Sequence, residues 1–226
     1  MTKRLASDSW LTHELNRRTL LTGSAGIIGL SATHLLSSST IGQTTRFSSY
    51  PFTLGVASGD PTPTGVVLWT RLAPEPLAGG GMPSDDVEVT WEIASDEQMQ
   101  TTVQRGSAIA HSALGHSVHV EVEALDPNRW YWYRFAAGNV VSPLGRTRTL
   151  PVATSMPQRL KFAFASCQNY EQGLFTAYQQ MMRDDVDLVF HLGDYIYEYE
   201  AGRNGKVRTH LGPEIASLSD YRVRHC

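Results

Sequence analysis

The sequence predicts a mixed fold, a β-sandwich followed by the opening βαβ unit of an α/β domain. Three observations carry it. Short period-2 strands recur at regular intervals between 52 and 151, separated by Gly-, Pro- and Asp-rich turns. After Pro151-Val-Ala-Thr-Ser-Met-Pro-Gln158 the pattern changes to apolar runs flanking one helix-periodic stretch. Ahead of both lies a segment of different character, which belongs to neither.

That segment contains Asn16-Arg-Arg-Thr-Leu-Leu21, followed by a weakly apolar stretch rich in Gly, Ser and Thr. Paired arginines before such a stretch are the pattern of a twin-arginine export signal. Leu20 to Leu36 is too short and too polar to span a bilayer, which needs about 20 mostly apolar residues. Residues 1–45 are therefore read as signal and linker. The chain is expected to use the twin-arginine export machinery and to reach the periplasm or the exterior, with no stable membrane span.

In the sandwich region, 52–151, the expected strands are Thr53–Ala57, Gly65–Arg71, Val87–Ser95, Val118–Val122, Trp130–Ala137 and Arg146–Leu150. Val87, Val89, Trp91 and Ile93 alternate with Glu88, Thr90 and Glu92, the mark of a half-buried strand. Trp130, Trp132 and Arg134 alternate with Tyr131, Tyr133 and Phe135, a set that reads as core more readily than as a carbohydrate platform. Turns built from Pro, Gly, Asp and Asn separate the strands, each residue type supplying a φ or a capping bond that the turn needs. Short strands at this spacing over about 100 residues indicate an immunoglobulin- or fibronectin-III-like sandwich.

In 158–226, Lys161–Ser166 is a short apolar strand that ends at Cys167. Leu174, Tyr178, Met181 and Met182 recur at helical spacing up to Arg183, and Asp187–Leu192 is a second apolar run ending at Gly193-Asp194. Strand, helix and strand, both strands reading as buried, imply a parallel pair. Open α/β sheets bind ligands at the carboxyl ends of their strands. A right-handed crossover puts Cys167 and Asp194 at neighbouring ends, with Tyr197 three residues further on. Thiolate, carboxylate and phenolate together suit a hard, highly charged cation such as ferric iron, whereas zinc favours His and Cys.

Bland readings stand beside these. Cys167 also suits a small buried residue at a strand end, Asp194 a turn residue after Gly193, and Tyr197 a core tyrosine. No His/Asn arrangement supports Cys167 as a nucleophile. His191 reads equally as a core histidine or as a group behind the ligands, and Glu198 and Glu200 as solvated or ion-paired. Asn169, Arg208 and His210 are candidates for a phosphate pocket. A bond between Cys167 and Cys226 is weakly motivated. The 226 residues are 41% hydrophobic and 18% charged with a net charge of −3. Such a chain can build a core but has no basic stripe of the kind nucleic acid requires.

The stretches PFTLGVASGDPTPTGVVLWTRLAP, WYWYRFAAGNVVSPLGRTRTLP, FAFASCQNYEQGLFTAY, DLVFHLGDYIYEY and LSDYRVRH resemble the PhoD-type alkaline phosphatases/phosphodiesterases, in the calcineurin-like metallophosphoesterase group. The resemblance implies an export signal, a β-sandwich and a metallophosphoesterase domain. It implies that Cys167 ligates iron, that Asp194 bridges iron and calcium, and that Tyr197 gives a phenolate to iron. Cofactors would be Fe³⁺ and Ca²⁺, with Asp194 and Cys167 carrying the catalytic centre. The reaction would be hydrolysis of phosphomonoesters and phosphodiesters by a metal-bound hydroxide. The family's domain continues with further Asp, His and Asn ligands past the point where this chain stops. It therefore reads as an N-terminal fragment with an incomplete domain at 158–226, inactive alone and poorly packed over its last ~75 residues. The competing expectation is a secreted β-sandwich binding module with a vestigial catalytic segment.

Overall fold

A computed structural model describes residues 46–226 apart from 48, 204 and 206. The expected export signal, 1–45, lies outside the described residues. No described helix is long and apolar enough to cross a membrane.

Two antiparallel sheets share one core. Strands β1 (Val56–Gly59), β2 (Val66–Arg71) and β5 (Ser117–Val122) form one sheet in the order β1-β2-β5. The other contains β3 (Val87–Ala94), β4 (Thr102–Ala110), β6 (Trp130–Ala137), β7 (Val140–Val141) and β8 (Gly145–Arg148), in the order β4-β3-β6 with β7 and β8 both on the far edge of β6. Leu68, Val118 and Val122 from the first sheet meet Val89, Ile93, Tyr131, Tyr133 and Phe135 from the second. The alternation read in Trp130–Ala137 is reproduced residue by residue: Tyr131, Tyr133 and Phe135 are buried, and Trp130, Trp132 and Arg134 are half-buried. Each fully buried side chain of this size contributes about 1.5–3 kcal/mol by leaving water.

Several boundaries move. The first strand starts at Val56 rather than Thr53, because Pro51–Gly55 is a turn closed by a hydrogen bond from Gly55 N–H to the Phe52 carbonyl (3.0 Å). The last is Gly145–Arg148 rather than Arg146–Leu150. Gly145 is required there, since a Cβ would lie 2.3 Å from the Tyr133 ring. Ser142 separates β7 from β8: its amide donates to the Phe135 carbonyl (2.8 Å), and its hydroxyl accepts from the Phe135 amide (2.9 Å). Strand β4 was not expected at all. At the corner before β6, the Asp126 amide donates to the Tyr131 hydroxyl (2.8 Å), a tie of the tyrosine-corner kind found in Greek-key sandwiches.

Beyond residue 151, β9 (Phe162–Ala165) and β10 (Leu188–His191) pair in parallel, Phe162 opposite Leu188 and Ala165 opposite His191. Helix α1 (Thr176–Asp184) lies between them in sequence. Neither strand contains a buried residue, which corrects the expectation of buried strands. Two strands and one nine-residue helix have too little material to close over both faces of a sheet. Helix α2 (Leu218–Arg224) starts in a capping box: the Asp220 amide donates to Ser217 Oγ (3.2 Å), and the Ser217 amide donates to Asp220 Oδ2 (2.8 Å).

Polar ties join this segment to the sandwich. Arg146 pairs with Asp185 (2.9 Å), and Arg148 pairs with Asp187. Both guanidinium groups also lie over the Trp130 ring, at 4.1 and 5.2 Å. Buried Arg71 donates to the carbonyls of Gly115 (3.0 Å) and Arg222 (3.2 Å) and to Cys226 Sγ (3.4 Å).

Candidate functional site

The two strand-end turns are stitched together. The Cys167 amide donates to the Gly193 carbonyl (3.2 Å), the Gln168 amide to the Asp194 carbonyl (3.2 Å), and Gln168 Nε2 to the Tyr195 carbonyl (2.9 Å). Cys167 and Asp194 both have φ of +54°, in the left-handed region that non-glycine residues enter only at a cost of about 1–3 kcal/mol. Strain of this kind persists where surrounding bonds over-determine the turn, and it concentrates at functional sites.

These turns bring the three expected ligands to one point. Cys167 Sγ is 3.5 Å from Asp194 Oδ2, and the Tyr197 hydroxyl donates to the same oxygen at 3.1 Å. Cys167 is exposed, so it is not a small packed core residue. Loss of water around the phenol, then the neighbouring Asp194 and Cys167, push the Tyr197 pKa up to about 12. Three groups that can each become an anion, meeting at one oxygen, fit a cation held from one side. Among the described residues, no three His, Cys, Asp or Glu side chains cluster in a way that could hold a metal ion. The trio, with its tyrosine, would therefore fill only part of a coordination shell.

Asn169 and His210 line a cavity of about 480 Å³ that Tyr197 also borders, together with Gln168, Glu171 and Arg224. Arg208 does not line the cavity itself but packs on two side chains that do, its guanidinium over the rings of Tyr170 (3.7 Å) and Phe175 (4.4 Å) and its Nε donating to the Tyr170 carbonyl (2.6 Å). His191 is exposed, which removes the core reading; its Nδ1 accepts from the Gly193 amide (3.3 Å), and its ring meets Tyr195 edge-on. Glu198 accepts from the Tyr221 hydroxyl, and Glu200 is exposed. Cys167 and Cys226 are both free thiols.

Sequence reasoning missed Glu171. It is the only buried residue among those described past 151. Its carboxylate accepts from the amides of Gly202 (2.8 Å) and His210 (3.3 Å), with His210 Nε2 at 3.5 Å, and so ties Gly202 and His210 to the wall of the cavity that Tyr197 borders. No spacing rule singles it out within its loop.

Sequence comparison adds the family. The profile of the PhoD-like phosphatase N-terminal domain matches residues 36–151, and that of the PhoD-like phosphatase domain matches 162–226. This chain belongs to the PhoD-like phosphatase family. Alkaline phosphatase D of Bacillus subtilis (strain 168) is 49% identical to it over 99% of this chain and 40% of its own length. A solved structure of PhoD superposes with a TM-score of 0.78 at 56% identity, over 80% of this chain and 35% of the other. The chain thus spans well under half the length of these relatives. A human fibronectin type III domain is far more distant, at a TM-score of 0.33.

Proposed function

We propose that this chain carries the N-terminal part of an exported phosphoesterase that hydrolyses phosphomonoesters and phosphodiesters, with Cys167, Asp194 and Tyr197 holding ferric iron and Asp194 also facing calcium. The observation that carries the reading is the meeting of Cys167 Sγ and the Tyr197 hydroxyl on Asp194 Oδ2, at the carboxyl ends of a parallel strand pair. When bound, the ions would neutralise the non-bridging oxygens of a phosphate ester and act as Lewis acids toward it. The chain's own contribution is positioning. Cross-bonded turns hold thiol and carboxylate in register, and Asp194 Oδ2 accepts from the Tyr197 hydroxyl, which orients the phenol toward the same point. Asn169 and His210, in the wall of the adjoining cavity, are placed to meet the ester. The sandwich, read as fibronectin-III-like from its strand order, forms the other part of the domain pair 52–151 and 158–226. Residues 1–45 are read as a twin-arginine signal that takes the protein to the periplasm or exterior.

Iron uptake tests this. The purified chain loaded with ferric iron should show a phenolate-to-iron absorption band, absent in Tyr197→Phe. In a polypeptide that also carries the remainder of the relatives' length, Asp194→Asn should lose iron and p-nitrophenyl phosphate hydrolysis together. An Asp194→Asn protein that retained both would sink the proposal. It would leave the chain as a sandwich module beside a vestigial segment, a reading favoured by the contrast in burial between the two regions.

A further inference from the structure

Gln168 follows Cys167 directly and uses both ends of its amide. Nε2 donates to the Tyr195 carbonyl (2.9 Å), and Oε1 accepts from the hydroxyl of Tyr178 on α1. Its own amide N–H donates to the Asp194 carbonyl (3.2 Å). Of the bonds that cross between the two strand-end turns, this is the one made by a side chain that is not itself a candidate ligand. It spans the turn that bears Cys167, the turn that bears Asp194 and the stretch leading to Tyr197. Among the other residue types only asparagine carries the same amide, and it is one methylene shorter. Glutamate can accept from Tyr178 but cannot donate to Tyr195, and leucine can do neither.

We infer that Gln168 is a positioning residue for the Cys167–Asp194–Tyr197 centre, fixing the separation of the thiol and the carboxylate by clamping the two left-handed turns to α1. The inference rests on the reading of that trio as a cation site. Side chains one step behind a metal's ligands orient them, and their loss typically weakens metal binding 10–100-fold.

Cobalt(II) serves as the probe, titrated into the purified chain and followed by thiolate-to-metal absorption in the near ultraviolet. Gln168→Leu should raise the half-saturation concentration 10–100-fold and weaken the band, while the unfolding midpoint of the sandwich stays in place. Tyr178→Phe, which leaves Gln168 intact but frees one end of its amide, should shift the titration in the same direction by less. It also keeps the test open if Gln168→Leu fails to fold. Wild-type titration curves and bands in both variants would overturn the positioning role alone, provided Cys167→Ala abolishes the band. A wild-type chain that takes up no cobalt would overturn the metal reading and this inference with it.

Discussion

The sandwich and the segment after residue 151 are built on opposite principles. The first hides its apolar side chains: Leu68, Val89, Ile93, Tyr131 and Phe135 are completely buried. The second exposes Phe162, Phe164, Phe190 and Leu192, and among its described residues the one that is buried is a glutamate. One region is held by packing, the other by polar ties: ion pairs to Arg146 and Arg148, the Arg71 contacts, and the bonds converging on Glu171. Packing energy scales with buried area and is non-directional. Hydrogen bonds contribute about 0.5–1.5 kcal/mol net but fix direction. The candidate site lies in the region that is weakly packed and strongly directed.

The largest effect expected from this contrast is between two phenylalanines. Phe135→Ala should lose about 3–5 kcal/mol of stability in urea unfolding. Phe164→Ala, at a side chain 65% exposed, should stay within about 0.5 kcal/mol of wild type. Equal losses would break the comparison.

A smaller, local effect is expected at Glu171. Glu171→Gln keeps the shape and removes the charge that two amides donate to, a loss of about 1–3 kcal/mol. It should appear as faster hydrogen exchange at Gly202 and His210 and earlier protease cleavage in 198–212, with the sandwich amides unmoved. A matching drop in global stability would merge the two regions into one cooperative unit.

The smallest effect concerns pH. Burial, and then the nearby Arg71 charge, hold the His225 pKa below its ordinary 6.5. The folded state therefore favours the neutral ring. Its contribution is complete above pH 6.5 and is lost as the pH falls through the lower folded value. Protection of the His225 and Cys226 amides, measured against their intrinsic exchange rates, should fall on that acid side, and His225→Gln should flatten the dependence. A wild-type profile that is already flat would remove His225 from the docking contact.

Much of this was legible in the residues themselves. The strand Trp130–Ala137 could be read with its ends and both faces, because a period of two needs only local information. The meeting of Cys167, Asp194 and Tyr197 followed from where ligands collect in open α/β sheets. Strand β4 escaped because it is an edge strand with Val103 and Ile109 exposed and Gly106 lying under the Trp91 ring, where a Cβ would come within 2.8 Å. Its pattern does not alternate cleanly. Arg208 looked like a phosphate ligand by residue type, but its place is set by a stack on Tyr170, 38 positions away. Glu171 was hidden for the same reason, since it bonds residues 31 and 39 positions on. Whether β9 and β10 are buried depends on what covers them, which no property of the strands themselves reveals.

Arg71 also sets an order of events. Its guanidinium reaches Cys226 across 155 positions, and closing a loop of that length from an unfolded chain costs on the order of 4 kcal/mol in entropy. The guanidinium is aimed only where β2 is already paired with β5, opposite Ser117. Residues 222–226 are therefore expected to dock onto a sandwich already formed rather than to nucleate it. On refolding they should be the last to gain protection, and on warming the first to let go.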